Sequence, residues 1–389
     1  MRFNPNRRHV LAGLASLGLV GCNTSGQAKV KGGKADPSTG ETGGTTPPTN
    51  DPTETTTPST AGFSMPAEWG PHSGTLMQFP PAANYCFGPV NDCFFIQNAR
   101  REWAAVATAI AEFEPVVLYA TPQDADEARN LCGAGVTVVE APLSDGWSRD
   151  SGPIFLTNEA GESRAACFEF NGWGESVEYA DDALIKWRMA SDLGVENVDV
   201  DMVLEGGAVI LDGAGTLITT EQCLLHPTRN PSMSVADQEA ILKEILGVHT
   251  IIWLANGWIP DPLTNGHIDG ICAFIEPGKV FVNTISDQGD ANYPLLVDAK
   301  ARLQAAGLET IDMPATSFTA FHINYYVCNG GIIVPIQGAG WADDVPLGLI
   351  RDLHPNHEVV GVRANALGTA GGGIHCITQQ VPAAVPWPV

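Results

Sequence analysis

From Phe63 onward two hydrophobic periodicities alternate along the chain. Short β-rich apolar runs follow clusters of small residues: "RDSGPIFLTNEAGESRAACFEF" from Arg149, "LEGGAVILDGAGTLITTE" from Leu204, "HIDGICAFIEPGKVFVNT" from His267, "CNGGIIVPIQGAG" from Cys328 and "GGGIHCITQQVP" from Gly371. Most of them run on into a turn such as Asp-Gly-Ala-Gly or Glu-Pro-Gly, as β-hairpins do. "SGTLMQFP" from Ser73 reads as a further, more divergent copy. Between the copies, "NARREWAAVATAIAEF" (98–113), "SVADQEAILKEIL" (234–246) and "YPLLVDAKARLQAAG" (293–307) keep apolar residues at helical spacing. Ser234 and Asp237 give the second of these a capped start. Hairpins alternating with helices, with copies roughly 40–65 residues apart, predict a propeller-like α/β array. An ordinary mixed sheet is the alternative.

The first 62 residues lack this pattern. Basic Arg2, Arg7 and Arg8 precede an apolar run from Val10 to Val20, too short to span a bilayer. Residues 1–21 therefore read as a cleaved export signal, with the paired arginines pointing to twin-arginine export. "LVGC" resembles the lipobox of bacterial lipoproteins, which implies lipidation of Cys22 and a cell-envelope protein without a transmembrane span. Residues 22–62 are rich in Ser, Thr, Gly and Pro and read as a flexible tether to the domain at 63–389.

Composition narrows the partners. A net charge of −24 argues against nucleic acid and anionic membrane surfaces, and fits a cationic small molecule or basic protein segment. The nine cysteines include no Cys-x-x-Cys pair and suit no zinc framework. Cys86 and Cys93 flank a Gly-Pro turn and could pair in an oxidising compartment. Cys132, Cys167, Cys223, Cys272 and Cys328 read as buried thiols.

Four copies carry a polar residue beside their small residues: Asp150, Glu205, Asp269 and Asn329. In a pseudo-symmetric ring such positions converge on the axis, where a cation would relieve the acids' repulsion. The fifth copy supplies the thiol of Cys376, flanked by His375. The third supplies His267, two residues before Asp269 and so on the same side of a strand. Cysteine with histidine makes a nucleophile and proton carrier. Carboxylates oppose thiolate formation unless the substrate brings its own positive charge. A guanidinium does so, matches carboxylates through two parallel N–H bonds, and needs a strong nucleophile at its carbon. Trp69, Trp147 and Trp173 read as pocket walls or core, "HPNH" (354–357) as surface, and "DGAGTL" (212–217) as a hairpin turn.

The stretches "MPAEWGPHSGTLMQFP", "SDGWSRDSGP", "FNGWG", "LEGGAVILDGAGTLITTEQCLLHPTRNP", "TNGHID", "INYYVCNGGIIVP" and "GGGIHCITQQVP" span the domain. In them the chain resembles the bacterial peptidylarginine deiminase/agmatine deiminase family of guanidine-modifying enzymes. The resemblance implies a five-bladed α/β propeller, the pentein fold, with no metal or organic cofactor. It implies that Asp150 and Asp269 bind the guanidinium, Cys376 attacks its carbon, His267 carries protons, Glu205 hydrogen-bonds His267, and Asn329 contacts substrate. The agmatine branch, giving N-carbamoylputrescine, matches best, although Asp261-Pro262-Leu263 and Gly270 depart from that branch's usual residues. Protein-arginine deimination is the near alternative. An amidinotransferase and a non-enzymatic cation-binding lipoprotein are the distant ones.

Overall fold

The computed structural model describes residues 60–82, 93–261, 263–315, 320–338 and 340–387. Cys22 and Cys86 lie outside the described residues, and with them the export signal, most of the tether and the Cys86–Cys93 pairing.

Among the described residues, sixteen strands form five sheets. In chain order they are β1 (His72–Gln78), β2 (Val116–Ala120), β3 (Val136–Glu140), β4 (Ile154–Thr157), β5 (Ser163–Glu169), β6 (Asn197–Val203), β7 (Val209–Leu211), β8 (Thr216–Thr220), β9 (Thr250–Leu254), β10 (Cys272–Glu276), β11 (Lys279–Thr284), β12 (Glu309–Pro314), β13 (Tyr326–Cys328), β14 (Gly331–Ile336), β15 (Glu358–Arg363) and β16 (Thr378–Pro382). Four sheets share one plan, β4-β5-β6, β7-β8-β9, β10-β11-β12 and β13-β14-β15. The first two strands of each form an antiparallel hairpin, and the third runs parallel to the second. That parallel step needs a crossover, supplied in turn by the helices Asp182–Asp192, Val235–Leu246, Tyr293–Ala305 and Trp341–Leu353. Ser234 and Asp237 form a reciprocal capping box at the start of the second.

The fifth sheet, β16-β1-β2-β3, closes the ring. "SGTLMQFP" is therefore not a separate copy. It is the middle strand of the blade whose first strand is β16, paired from His72↔Pro382 to Met77↔Thr378. A hairpin pattern read along the chain cannot reveal two halves contributed from opposite ends of the domain.

Five hydrophobic clusters fill the five spaces between neighbouring blades. Alternation along each middle strand sends successive side chains into different spaces. On β11, Val280 and Val282 pack towards β7-β8-β9, whereas Phe281 packs towards β13-β14-β15. On β1, Leu76 and Met77 divide in the same way. Both faces of the middle strands are thus buried, which is why the copies read as continuous apolar runs. The five named cysteines are free and buried in this packing. His354 is buried too, against Phe281 and Tyr325, and not on the surface as its loop setting implied. Asp212 organises the predicted turn at 212–217, accepting from the N–H groups of Ala214 and Thr216. Among the described residues, no helix is long and apolar enough to cross a membrane.

Ring closure makes β1 a point of vulnerability. Leu76→Ala is expected to destabilise by ~2–5 kcal/mol, whereas loss of the exposed cap in Ser234→Ala should remove only ~1 kcal/mol. Denaturant titration of the two variants distinguishes these outcomes.

Candidate active site

In each blade the segment ahead of the first strand makes a short helical turn. These turns are Ser148–Ser151, Gly206–Ala208, Ile268–Gly270, Ala320–Ile323 and His375–Ile377. The expectation that His267 and Asp269 share a strand face is thus corrected: His267 precedes a tight turn, Asp269 sits within it, and Ile268 between them is buried in a core cluster. Glycine permits the tightness. A Cβ on Gly207 would lie 2.7 Å from His267 Nδ1, 2.9 Å from Asp150 Oδ1 and 3.1 Å from Asp269 Oδ2, so Gly207 occupies the space among all three.

The turns bring Asp150, Glu205, His267, Asp269 and Cys376 together, each of them buried. The Cys376 thiol donates to Asp269 Oδ2 at 3.3 Å and lies 3.4 Å from Asn324 Oδ1. The N–H of Gly373 points at the sulfur from 3.5 Å. His267 Nδ1 is 3.8 Å from Asp150 Oδ1. Its Nε2 is 4.0 Å from Glu205 Oε2, near enough for charge attraction but outside hydrogen-bond range. Glu205 is drawn instead to Arg229, whose Nε donates to Oε1 at 2.6 Å. Other nitrogens of Arg229 donate to Asn265 Oδ1 and Thr264 O, pinning the loop that leads into His267.

Asn329 does not join the cluster. It lies exposed in the β13–β14 turn, where its side chain exchanges hydrogen bonds with the backbone of His72. The equivalent place belongs to Asn324, at the end of the preceding turn, which accepts from the Cys376 N–H at 3.3 Å. Asn329-Gly330 mimics the entry to a copy because a hairpin turn uses the same small residues.

Several other groups were not apparent from the sequence. Trp173 is more than a wall: its indole N–H donates to Asp150 Oδ2 at 2.9 Å. It does so from a left-handed backbone (φ 54°, ψ 49°) between two glycines, a conformation costing about 1–3 kcal/mol for such a residue. Trp147 is buried against Gly372, where a side chain would collide with it, and Trp69 packs between two clusters. Arg149 turns away from Asp150 to Gln380 and Glu68. The sequence signal for Trp173 was "FNGWG", a tryptophan flanked by glycines in a polar setting.

The electrostatics follow from burial among acids. Burial, with the charges of Asp269 and Asp150, pushes the Cys376 thiol well up. Burial, with Asp269 and Glu205, also pushes Asp150 up against the pull of His267. For Asp269, burial is outweighed by hydrogen bonding to His375 and by the histidine charges, and its carboxyl is held below the ordinary value. One possible metal-binding group occurs among the described residues, Glu205, Cys223 and His267, with ligand atoms within 4.8 Å of one another. Arg229 already neutralises that carboxylate, and burial and Glu205 push the Cys223 thiol well up, so the group is poorly suited to a cation.

A cavity of about 520 Å³ opens on the cluster. His267, Asp269, Asn324 and Cys376 line its reactive end, and Val177, Trp258, Pro260 and Leu263 contribute apolar walls. Asp261 also lines it, but its carboxylate is engaged by the N–H groups of Leu263, Thr264 and Gly266.

A thiol, a histidine and acids on one cavity suit a planar cation, and comparison with known proteins decides the family. The sequence profile of the Porphyromonas-type peptidyl-arginine deiminase family matches residues 64–382. The chain belongs to this family. Agmatine deiminase of Medicago truncatula is 36% identical over 374 residues, covering 84% of this chain and 98% of that protein. Agmatine deiminase of Ectopseudomonas mendocina is 35% identical over 370 residues, covering 84% and 98%. The structure of agmatine deiminase of Enterococcus faecalis superposes with a TM-score of 0.77 at 31% identity, covering 85% of this chain and 98% of that one. The deiminase is thus a five-bladed pentein and a hydrolase acting on a guanidinium group.

In this deiminase the space around Gly207 leaves no room for a side chain among His267, Asp150 and Asp269. Gly207→Ala should lower kcat/KM by about a hundredfold or more while leaving a folded protein, as measured by steady-state ammonia release and circular dichroism.

Proposed function

We propose that this deiminase hydrolyses agmatine to N-carbamoylputrescine and ammonia, with Cys376 as nucleophile. The observation that carries this reading is the Cys376 thiol held 3.3 Å from Asp269 on a cavity without Lys or Arg among its described lining residues. Free arginine carries a carboxylate that calls for a cationic partner, whereas agmatine does not. The apolar walls suit its tetramethylene chain. The names of the Medicago, Ectopseudomonas and Enterococcus relatives support the same choice.

In the proposed reaction, Asp150 and Asp269 accept the guanidinium N–H groups. The arriving charge offsets the repulsion that keeps the Cys376 thiol protonated, and its proton passes to His267. Sulfur then bonds to the guanidinium carbon. The tetrahedral adduct breaks its C–N bond to a terminal nitrogen, which takes the proton from His267 and leaves as ammonia. Water adds to the sulfur-bound carbon, giving a proton to His267; C–S cleavage then releases the ureido product, the proton of its hydroxyl restores the thiol, and His267 gives its proton to solvent. Glu205, close to His267 and steadied by Arg229, favours the transient imidazolium.

Cys376→Ala should abolish turnover by at least about a thousandfold. Measured side by side, agmatine should exceed both free arginine and an arginine-containing peptide in kcat/KM by at least about tenfold. A preference for the peptide would assign the enzyme to protein arginine. Guanidine consumption without ammonia, but with transfer to an added amine, would make it an amidinotransferase.

The export and anchoring signals belong to the same proposal: the enzyme is a lipoprotein acting outside the cytoplasm on guanidines it meets there. Cys22→Ser should move the protein from the membrane fraction to the soluble one and remove the lipid mass from its mature N-terminus. Fractionation and intact-mass measurement test this.

A further inference from the structure

His375 is the one polar side chain of "GGGIHC" that the reaction above leaves without a task, yet it is closely held on both ring nitrogens. It is buried, and its Nδ1 lies 3.0 Å from Asp269 Oδ2, the same oxygen that receives the Cys376 thiol. Its Nε2 lies 2.9 and 3.1 Å from the two oxygens of Glu68. With a carboxylate against each ring nitrogen, the imidazole satisfies both only when both nitrogens carry protons. The backbone is fixed as well: the His375 N–H donates to Asn324 O, and the His375 carbonyl accepts from Arg149 Nε.

We infer that His375 is a positioning residue: as an imidazolium clamped between Glu68 and Asp269, it orients the carboxylate that receives the guanidinium and keeps it ionised. This rests on the guanidinium-binding role proposed for Asp269. The geometry dictates the electrostatics. Asp269 shares its buried surroundings with Asp150 and a sulfur that must become anionic, so without a nearby cation it would take up a proton. Of the cations packed around it, His375 alone contacts its carboxylate among the described residues.

The charged and titratable groups facing His375 come from several elements. Glu68 lies on the segment before β1, Arg149 on the turn before β4, Asp269 on the turn before β10, and Cys376 on its own turn. Tyr325 lies beside Glu68, and burial and the Glu68 charge push its hydroxyl up. Burial and Arg149 disfavour the charged imidazole, but Glu68 and the Asp269 hydrogen bond prevail, and His375 titrates above its ordinary value. Burial is likewise overcome at Glu68, chiefly by His375 and Arg149, and its carboxyl falls to about 2. The clamp is therefore charged below the raised folded-state pKa of His375 and above the lowered ones of Glu68 and Asp269. It loosens as pH rises through the folded-state pKa of His375.

His375→Gln removes the donor facing Asp269, while His375→Asn keeps a donor near the Nδ1 position without the charge. In the full chain with agmatine, the Gln variant should raise KM by about tenfold or more. The acid limb of its kcat/KM profile should move to higher pH by about one unit, because Asp269 then protonates more easily. The Asn variant should recover part of the KM and little of the pH shift. A purely structural histidine would lower the unfolding temperature and leave the acid limb where it was. A folded Gln variant with wild-type KM and an unmoved limb overturns the inference. If the Gln variant does not fold, Glu68→Gln decides: a smaller shift of the acid limb in the same direction supports the clamp, and no shift overturns it. Failure of the wild type to deiminate agmatine, arginine or the peptide would instead overturn the underlying function.

Discussion

Negative charge held out of water around one sulfur governs this molecule. Asp150, Asp269 and Glu205 are all buried, and the Cys376 thiol hydrogen-bonds directly to one of them. Asp269 and Asp150 make the thiolate harder to form, so the resting site stores an electrostatic demand that a bound cation meets. In the proposed mechanism this arrangement disfavours indiscriminate nucleophilicity, because the raised thiol becomes reactive only beside a positive ligand. Selectivity and activation then share one physical origin.

The protein tolerates this centre because each acid is satisfied from behind. Asp150 accepts from the Trp173 indole and the Gly207 amide, Glu205 from Arg229, and Asp269 is in contact with His375. These supports come from different blades, so a rigid ring is needed to hold them in register. The five interblade clusters provide it. Local concessions are concentrated at the centre: a left-handed Trp173 and glycines where any side chain would collide. Functional sites are where such concessions are expected.

Much of this was legible because the repeats carry two signals at once, an apolar run and the small residues before it. Those signals located Asp150, Glu205, His267, Asp269 and Cys376, and the helices Val235–Leu246 and Tyr293–Ala305 followed from spacing. Asn329 was misjudged because a hairpin turn and a turn entering a strand use the same Asn and Gly residues. Only pairing, Cys328↔Gly331, separates the two. Ring closure was missed because β1 and β16 are distant in sequence. The supporting groups Glu68, Arg229 and Asn324 carry no local signal either, since each meets its partner, His375, Glu205 or Cys376, far along the chain.

The closing sheet joins chain order to chemistry. Cys376 lies on the last of the five turns, two residues before the strand that pairs with β1. On the role proposed for Cys376, a polypeptide emerging from the ribosome lacks its nucleophile while the ring is open, and it gains the sulfur and the final seam together. Under that proposal, partly synthesised molecules are chemically silent, and competence switches on only as the architecture becomes whole.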